Sequence, residues 1–354
     1  MSTASFLVLF LEPVRAYLEE DSVSEILING PSAVYIERKG KLEKVEAAFA
    51  SEAALKAAAV NIAKSVGRIL NEEFPRLDAR LPDGSRVHAV IPPLARCGTV
   101  IAIRKFSKDL LTAEKLLQFN SCSPSMLTLI ETLVKLHKNI IVSGATSSGK
   151  TSILNLVSGY ISPGERILLI EDASELQLRQ PHIVPFETRK PDKDGKGEVT
   201  IRDLIHSALR LRPDRLVIGE IRGAEALDLL QAMNTGHAGS MSTIHANSPI
   251  DALYRLETCS LFSGIDIPIS ALRSQIASAI HAVIHTARLP DGSRKIVGVA
   301  EVLPLRNGEY NVHDIMRWRT RAIGADGKIT GDFEICDYVP SFKEEADVAA
   351  LPLK

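Results

Sequence analysis

Three things are scarce in this chain of 354 residues. Cysteine occurs four times, as Cys97, Cys122, Cys259 and Cys336, widely scattered and with no C-x-x-C pair. That spacing offers neither a zinc cluster nor a disulfide framework and suits a reducing compartment. Long apolar runs are missing too. The most apolar early stretch, "FLVLFL" from Phe6 to Leu11, falls short of the about 20 residues a bilayer-spanning helix needs. It has no basic leader and no small-residue cleavage site, so it is a poor signal peptide. It is expected as a buried segment leading into a helix from Pro13, in a cytoplasmic protein. The third absence is an excess of charge: Lys+Arg is 42 and Asp+Glu is 43, a formal net charge of -1. A dedicated nucleic-acid binder usually carries a basic excess, so no direct nucleic-acid partner is expected.

What is present is an ordinary globular balance, 45% hydrophobic and 24% charged, in a length that suits two domains. Residues 1–106 read as a mixed α/β domain of antiparallel flavour. "SEILIN" and "AVYIER" are strands about a Gly-Pro turn, "SEAALKAAAVNIAKSVG" is a helix with Ser51 as its N-cap, and "RVHAVIPP" and "TVIAIRKF" are further strands. A polar, helix-forming bridge is expected over 107–120. Ser123 and Pro124 then open an amphipathic helix in a domain covering 121–354. From Asn139 the texture is strand, glycine loop, helix, repeated: "NIIVSG", "RILLIED", "RLVIGE" and "SMSTIH" are apolar strands that end in polar groups. That order predicts a buried parallel sheet.

"GATSSGKT", residues 144–151, fits G-x-x-x-x-G-K-[ST] and lies between a strand and a helix, the context the motif requires. Its glycines let backbone wrap around phosphate oxygens, and the helix start aims N–H groups at the anion. The expected nucleotide contacts are Gly144, Ala145, Thr146, Ser147, Ser148, Gly149, Lys150, Thr151 and Ser152. Lys150 would bridge the β- and γ-phosphates and Thr151 would ligate Mg²⁺.

A nucleotide-hydrolysing strand commonly ends in an acid that holds magnesium, followed by one that works on water. "DRLVIGEIRG", Asp214 to Gly223, has glycine at the first position and only Glu220 after it. A second strand, "RILLIEDASE", supplies Glu171. In a parallel sheet both would come to the same carboxyl edge, where one could hold magnesium through water and the other orient or deprotonate the attacking water. "SMSTIHANSP" brings His245 to that edge as a partner for the γ-phosphate or the water. His237, in a glycine-rich loop, has a structural reading as good as a functional one. "RLPDGSR" occurs twice, at Arg80–Arg86 and Arg288–Arg294. Pro-Asp-Gly predicts a tight turn joining two strands in both copies, and whether the arginines of one copy do more is open.

With these segments placed, the sequence resembles the secretion ATPase superfamily, and most of all the pilus-assembly ATPases of Tad/Flp systems. "GATSSGKT" resembles their Walker A loop, "ILLIEDASEL" the acidic box, "RLVIGEIRG" the unusual Walker B and "MSTIHANSP" the histidine box. "SEILINGPSAVYIERKGKLE" and "RLDARLPDGSRVHAVIPP" resemble the family's N-terminal domain. The resemblance implies a mixed α+β, PAS-like N-terminal domain followed by a RecA-like P-loop ATPase domain, arranged as a homo-hexamer with ATP in the cleft between domains. It implies Glu171 as general base, Glu220 as a magnesium holder, and N-terminal arginines at the phosphates, for which Arg80, Arg86 and Arg104 match. It further implies ATP and Mg²⁺ as cofactors and an inner-membrane platform protein as partner. Type IV secretion or conjugation ATPases share these boxes. A RecA-like nucleic-acid motor is a third reading, and a scaffold with little turnover a fourth. The chain departs from many Tad relatives in starting almost at the N-terminal domain and in reading "GHAG", with Ala238, where they have Gly-His-Asp-Gly. It carries no zinc-binding cysteines, which disfavours the type II secretion and pilus-extending branches.

Overall fold

The computed structural model describes residues 10–38, 40–106, 111–191 and 194–353. The chain separates into two units, Met1–Asp109 and Leu110–Lys354. Of the early apolar segment only Phe10 and Leu11 are described, and Leu11 is buried. A 3-10 turn at Glu12–Val14 and a short helix at Arg15–Glu19 follow, where the helix from Pro13 is expected.

The first unit is built on one six-stranded sheet. Its strands are β1 (Val23–Asn29), β2 (Val34–Arg38), β3 (Lys41–Val45), β4 (Arg76–Arg80), β5 (Arg86–Val90) and β6 (Val100–Arg104), in the order β3-β2-β1-β6-β5-β4. Every pairing is antiparallel, as the alternation predicts. Ile26, Ile28, Val34 and Ile36 point to one face, where the helix Glu52–Ser65 lays down Leu55, Ala58, Ala59, Ile62 and Ala63. This is the three- and four-residue spacing of an amphipathic helix on a half-buried sheet. Ser51 caps it, accepting the Ala54 N–H at 3.1 Å. The edge strand β3 has no apolar alternation and is almost wholly exposed; it is specified by its pairing with β2, which sequence periodicity does not report.

The expected bridge 107–120 is divided. Residues 107–110 lie outside the described residues. Thr112 caps a helix at Ala113–Gln118 whose Leu116 is buried in the core of the second unit, so this part belongs to that unit.

The second unit holds a nine-stranded sheet in the order β15-β14-β13-β12-β7-β11-β10-β8-β9. The strands are β7 (Ile140–Gly144), β8 (Ile167–Glu171), β9 (Ile183–Glu187), β10 (Arg215–Ile221), β11 (Met241–His245), β12 (Ala282–Arg288), β13 (Arg294–Arg306), β14 (Glu309–Ile323) and β15 (Ile329–Ile335). From β12 to β9 all pairings are parallel; β13, β14 and β15 extend the sheet antiparallel. β7 and β8 are buried along their whole length, because helices cover both faces. One face packs Leu168, Ile170, Leu216 and Ile218 against helices Ile201–Ala208, Glu225–Asn234, Pro249–Leu261 and Ile269–Ala279. The other packs Ile140, Val142, Leu169 and Val217 against Pro124–Lys135 and Lys150–Ser158. Ser123 and Ser248 cap their helices as expected, taking N–H bonds from Met126 and Asp251 at 3.1 Å. After Ile280 the chain adds one more parallel strand, β12, beside the phosphate-loop strand β7, before the antiparallel strands begin.

Candidate functional site

Because β7, β8, β10 and β11 run in the same direction, their carboxyl ends share one edge. His245 lies directly beside Gly144, and Ile218 beside Ile170 brings Gly219 level with Glu171, with Glu220 one residue further on at the same edge. The turn 144–149 leads from β7 into helix Lys150–Ser158. Gly149 takes φ +99°, a conformation open to glycine, and no side chain caps the helix start. Its first N–H groups are therefore available to an anion. Lys150 folds back over the loop: Nζ donates to the Ala145 carbonyl at 3.0 Å. The Ser148 N–H points to the same carbonyl at 3.4 Å. Two groups that a phosphate would take thus converge on one point, which fits the nucleotide the motif implies. Burial pushes the Lys150 ammonium below its ordinary range, with Glu220 acting against it.

Lys150 also begins a polar chain. Nζ lies 3.2 Å from His245 Nδ1, and His245 Nε2 lies 2.9 Å from Glu220 Oε1. Glu220 Oε2 accepts Arg222 Nη2 at 2.7 Å, and Arg222 Nη1 stands 3.4 Å from Asp172. Burial, then the neighbouring Lys150, lowers the His245 pKa, while Glu220 raises it less. A neutral imidazole accepts from Lys150 at Nδ1, while Nε2 stands beside Glu220 Oε1 without hydrogen-bond geometry.

Glu171 is buried, and its Oε1 accepts the Glu175 and Leu176 N–H groups at 2.8 and 2.9 Å. These bonds order the following loop and fix the carboxylate's orientation. The glycine at 219 has a steric reason. A Cβ there would stand 3.2 Å from Glu171 Cγ and 3.6 Å from its Cβ, since neighbouring residues of parallel strands at one level face the same side. The register of β10 against β11 shifts between Ile218 and Ile221, so Gly219 and Glu220 occupy a β-bulge, a device that re-aims a side chain at a strand end. Thr243 Oγ1 satisfies the bulged Gly219 carbonyl at 2.7 Å.

The candidates from the second unit, Lys150, Glu171, Glu220, His245 and the 144–152 loop, are thus gathered at one edge. Thr151 follows Lys150 in the first helical turn, half-buried, and Ser152 is exposed beside it. Among the described residues no group of three or more His, Cys, Asp and Glu side chains could hold a metal ion. His237 takes the structural role: Nδ1 lies 3.3 Å from the Ala232 carbonyl at the end of helix Glu225–Asn234.

Arg80, Arg86 and Arg104 lie in the first unit as consecutive cross-strand partners, Arg80 beside Arg86 and Arg86 beside Arg104. Arg104 in turn lies opposite Glu25 of β1, so the row of three arginines ends in a carboxylate. Sequence reading did not reach Arg222, Thr286 or Arg294. Thr286 Oγ1 lies 2.8 Å from Ser148 Oγ and donates to the Ser143 carbonyl at 3.1 Å. Arg294 Nε donates to the Ser147 carbonyl at 2.9 Å. Only the repeated "RLPDGSR" hinted at the last of these.

A phosphate loop at the carboxyl edge of a doubly wound parallel sheet defines the second unit as a RecA-like P-loop ATPase domain. The family model for type II/IV secretion system proteins matches residues 11–322, and the chain belongs to that family. It is similar to a putative conjugal transfer protein of Mycobacterium tuberculosis, 37% identical over 314 residues, covering 87% of each chain. It is also similar to the type IV secretion system protein PtlH of Bordetella pertussis, 32% identical over 302 residues, covering 78% of this chain and 89% of that one. In fold it is similar to the Legionella pneumophila ATPase DotB, with a TM-score of 0.59 and 19% identity over 82% of this chain and 79% of that one. Among the described residues no helix is long and apolar enough to cross a membrane.

Proposed function

We propose that the chain hydrolyses ATP at the 144–151 loop and passes the resulting conformational work to a type II/IV secretion apparatus. The observation that carries this is the chain Lys150–His245–Glu220, with Glu171 beside it at the same sheet edge. Lys150 and the helix-start N–H groups bind the phosphates. Mg²⁺, held through Thr151 and, by way of water, Glu220, would neutralise charge on the β- and γ-phosphate oxygens. Glu171 orients and deprotonates the attacking water. His245, neutral and beside Glu220, senses the γ-phosphate. The row Arg80–Arg86–Arg104 is an anion-binding face of the first unit. Hydrolysis so arranged is positioning plus electrostatics.

The names of the relatives, conjugal transfer and type IV secretion, favour a type IV secretion or conjugation apparatus. The boxes read from the sequence keep Tad/Flp pilus assembly as the second reading. In either, the chain works as a homo-hexamer on the cytoplasmic face with an inner-membrane platform protein. Phosphate release by the purified chain with Mg²⁺ tests the activity: Lys150→Ala and Glu171→Gln are expected to lose it by about 100-fold or more. Turnover at the unmutated rate by Glu171→Gln removes the base assignment.

A further inference from the structure

The two copies of Arg-Leu-Pro-Asp-Gly-Ser-Arg fold alike. In each, leucine N–H reaches the serine carbonyl, at 2.7 Å for Leu81–Ser85 and 2.8 Å for Leu289–Ser293. In each, glycine N–H returns to the leucine carbonyl at 2.9 Å, and the aspartate takes the serine N–H at 2.9 Å. The flanking arginines face each other across the hairpin, Arg80 opposite Arg86 and Arg288 opposite Arg294. What differs is what the last arginine meets. Arg86 stands between Arg80 and Arg104. Arg294 donates Nε to the Ser147 carbonyl of the phosphate loop, and its Cδ lies 3.8 Å from where a Cβ on Gly149 would stand.

We infer that Arg294 is a positioning residue for phosphate binding: it holds the 147–148 peptide so that the Ser148 N–H faces the phosphate. The inference rests on the reading of 144–151 as a nucleotide site. A trans peptide is planar, with its carbonyl and N–H pointing opposite ways, so a donor that fixes the Ser147 carbonyl fixes the direction of the Ser148 N–H. That N–H is directed at the Ala145 carbonyl, the acceptor shared with Lys150 Nζ. Ser147 needs such a restraint, because its φ of +61° is a left-handed conformation that serine adopts only when its surroundings impose it.

The loop is held from the same hairpin on a second side. Thr286, on β12, engages Ser148 Oγ and the Ser143 carbonyl, and β12 leads into the turn from which Arg294 emerges. The turn is itself anchored, since Asp291 Oδ2 accepts the Ile329 N–H at the start of β15 at 2.9 Å. One hairpin thus grips the loop with both arms, by a buried hydroxyl and by a charged donor. A charge-assisted bond to backbone is about twice as strong as a neutral one, and the guanidinium adds positive potential beside the anion.

The test is calorimetric titration of the full chain with ADP and Mg²⁺, and with adenosine, for the unmutated protein, Arg294→Ala, Arg294→Gln, Arg294→Lys and Lys150→Ala. Arg294→Ala is expected to weaken ADP binding by about tenfold with adenosine affinity and the unfolding midpoint of the unliganded chain unchanged. Glutamine carries an N–H donor the same number of bonds from Cα as Arg294 Nε and is expected to recover most of the loss; lysine, whose nitrogen lies one bond further out, is not. Unchanged ADP affinity in Arg294→Ala overturns the inference. Full recovery by lysine but not glutamine also overturns it, since charge alone would then be acting. If Arg294→Ala fails to fold, the glutamine and lysine variants still decide. Should the unmutated chain not bind ADP, or Lys150→Ala bind it equally well, the nucleotide reading itself fails, an outcome distinct from the first two.

Discussion

Gly219 offers a sensitive probe of the site. Its φ lies outside the left-handed region, so alanine meets no backbone objection, and it even gains about 0.4–1 kcal/mol by restricting the unfolded chain. Against that, the added Cβ would lie 3.2 Å from Glu171 Cγ, tight enough that the glutamate must move by a few tenths of an ångström. Overpacking of this mild kind costs about 1 kcal/mol, the low end of its range. The two terms nearly cancel, and net stability is expected to stay within about 1 kcal/mol of the unmutated protein. Activity should not be spared. A misplacement of 1 Å can cost about 100-fold, so 0.3 Å scales to about fourfold in turnover. Gly219→Asp, which puts back the acid that a common hydrolase strand carries, adds three more heavy atoms and a like charge beside the buried Glu171. It is expected to lower turnover by at least about 100-fold. The assay pairs phosphate release with urea unfolding on each variant. Turnover at the unmutated rate in Gly219→Asp would refute both the steric account of the glycine and the placement of Glu171 at the chemistry.

Two further outcomes follow from buried polar groups. Burial lowers the pKa of His281 and His285; His281 Nδ1 accepts the Asn139 N–H at 2.9 Å and His285 Nδ1 pairs with Ser143 Oγ at 2.8 Å. A histidine depressed in the folded state contributes stability that is present above its unfolded pKa, near 6.5, and is lost as pH falls through the interval below it. The unfolding midpoint is therefore expected to drop as pH goes from about 6.5 toward 5, and less so in His285→Gln; a flat profile would contradict this. Arg215 is the largest fully buried side chain, held by Glu165 and donating to the Gly239 and Val134 carbonyls at 3.1 and 3.0 Å. Arg215→Ala strands those partners and should cost roughly 3–5 kcal/mol in urea unfolding, whereas a loss under 1 kcal/mol would show that the network relaxes freely.

Much of the second unit was legible because its signals are local. Apolar runs ending in polar residues gave the four central strands, and serine followed by proline gave the starts of helices Pro124–Lys135 and Pro249–Leu261. The phosphate loop announces itself through glycine spacing. β3 and β9 escaped notice because edge strands need not alternate, and β12 because its apolar residues lie in a region of turn-like texture.

The repeated heptapeptide separates what sequence by itself determined from what only tertiary structure decided. Proline and glycine dihedrals, and an aspartate that bonds two residues ahead, act within the turn, so identical residues yield identical hairpins wherever they stand. The destination of the last arginine depends on which strand lies next door. In the first unit that neighbour is β6, and Phe106 packs so closely on the turn that a Cβ at Gly84 would lie 2.9 Å from its ring. In the second, β12 pairs with β7, and Arg294 reaches the phosphate loop that β7 leads into, while Gly292 has no neighbour within 4 Å of such a Cβ. The same logic governs Gly219: its identity is plain in the sequence, but its cause is the Glu171 side chain, brought alongside from 48 residues earlier by the pairing of β10 with β8. Turns are written in neighbouring residues, whereas the company a side chain keeps is written in the strand order.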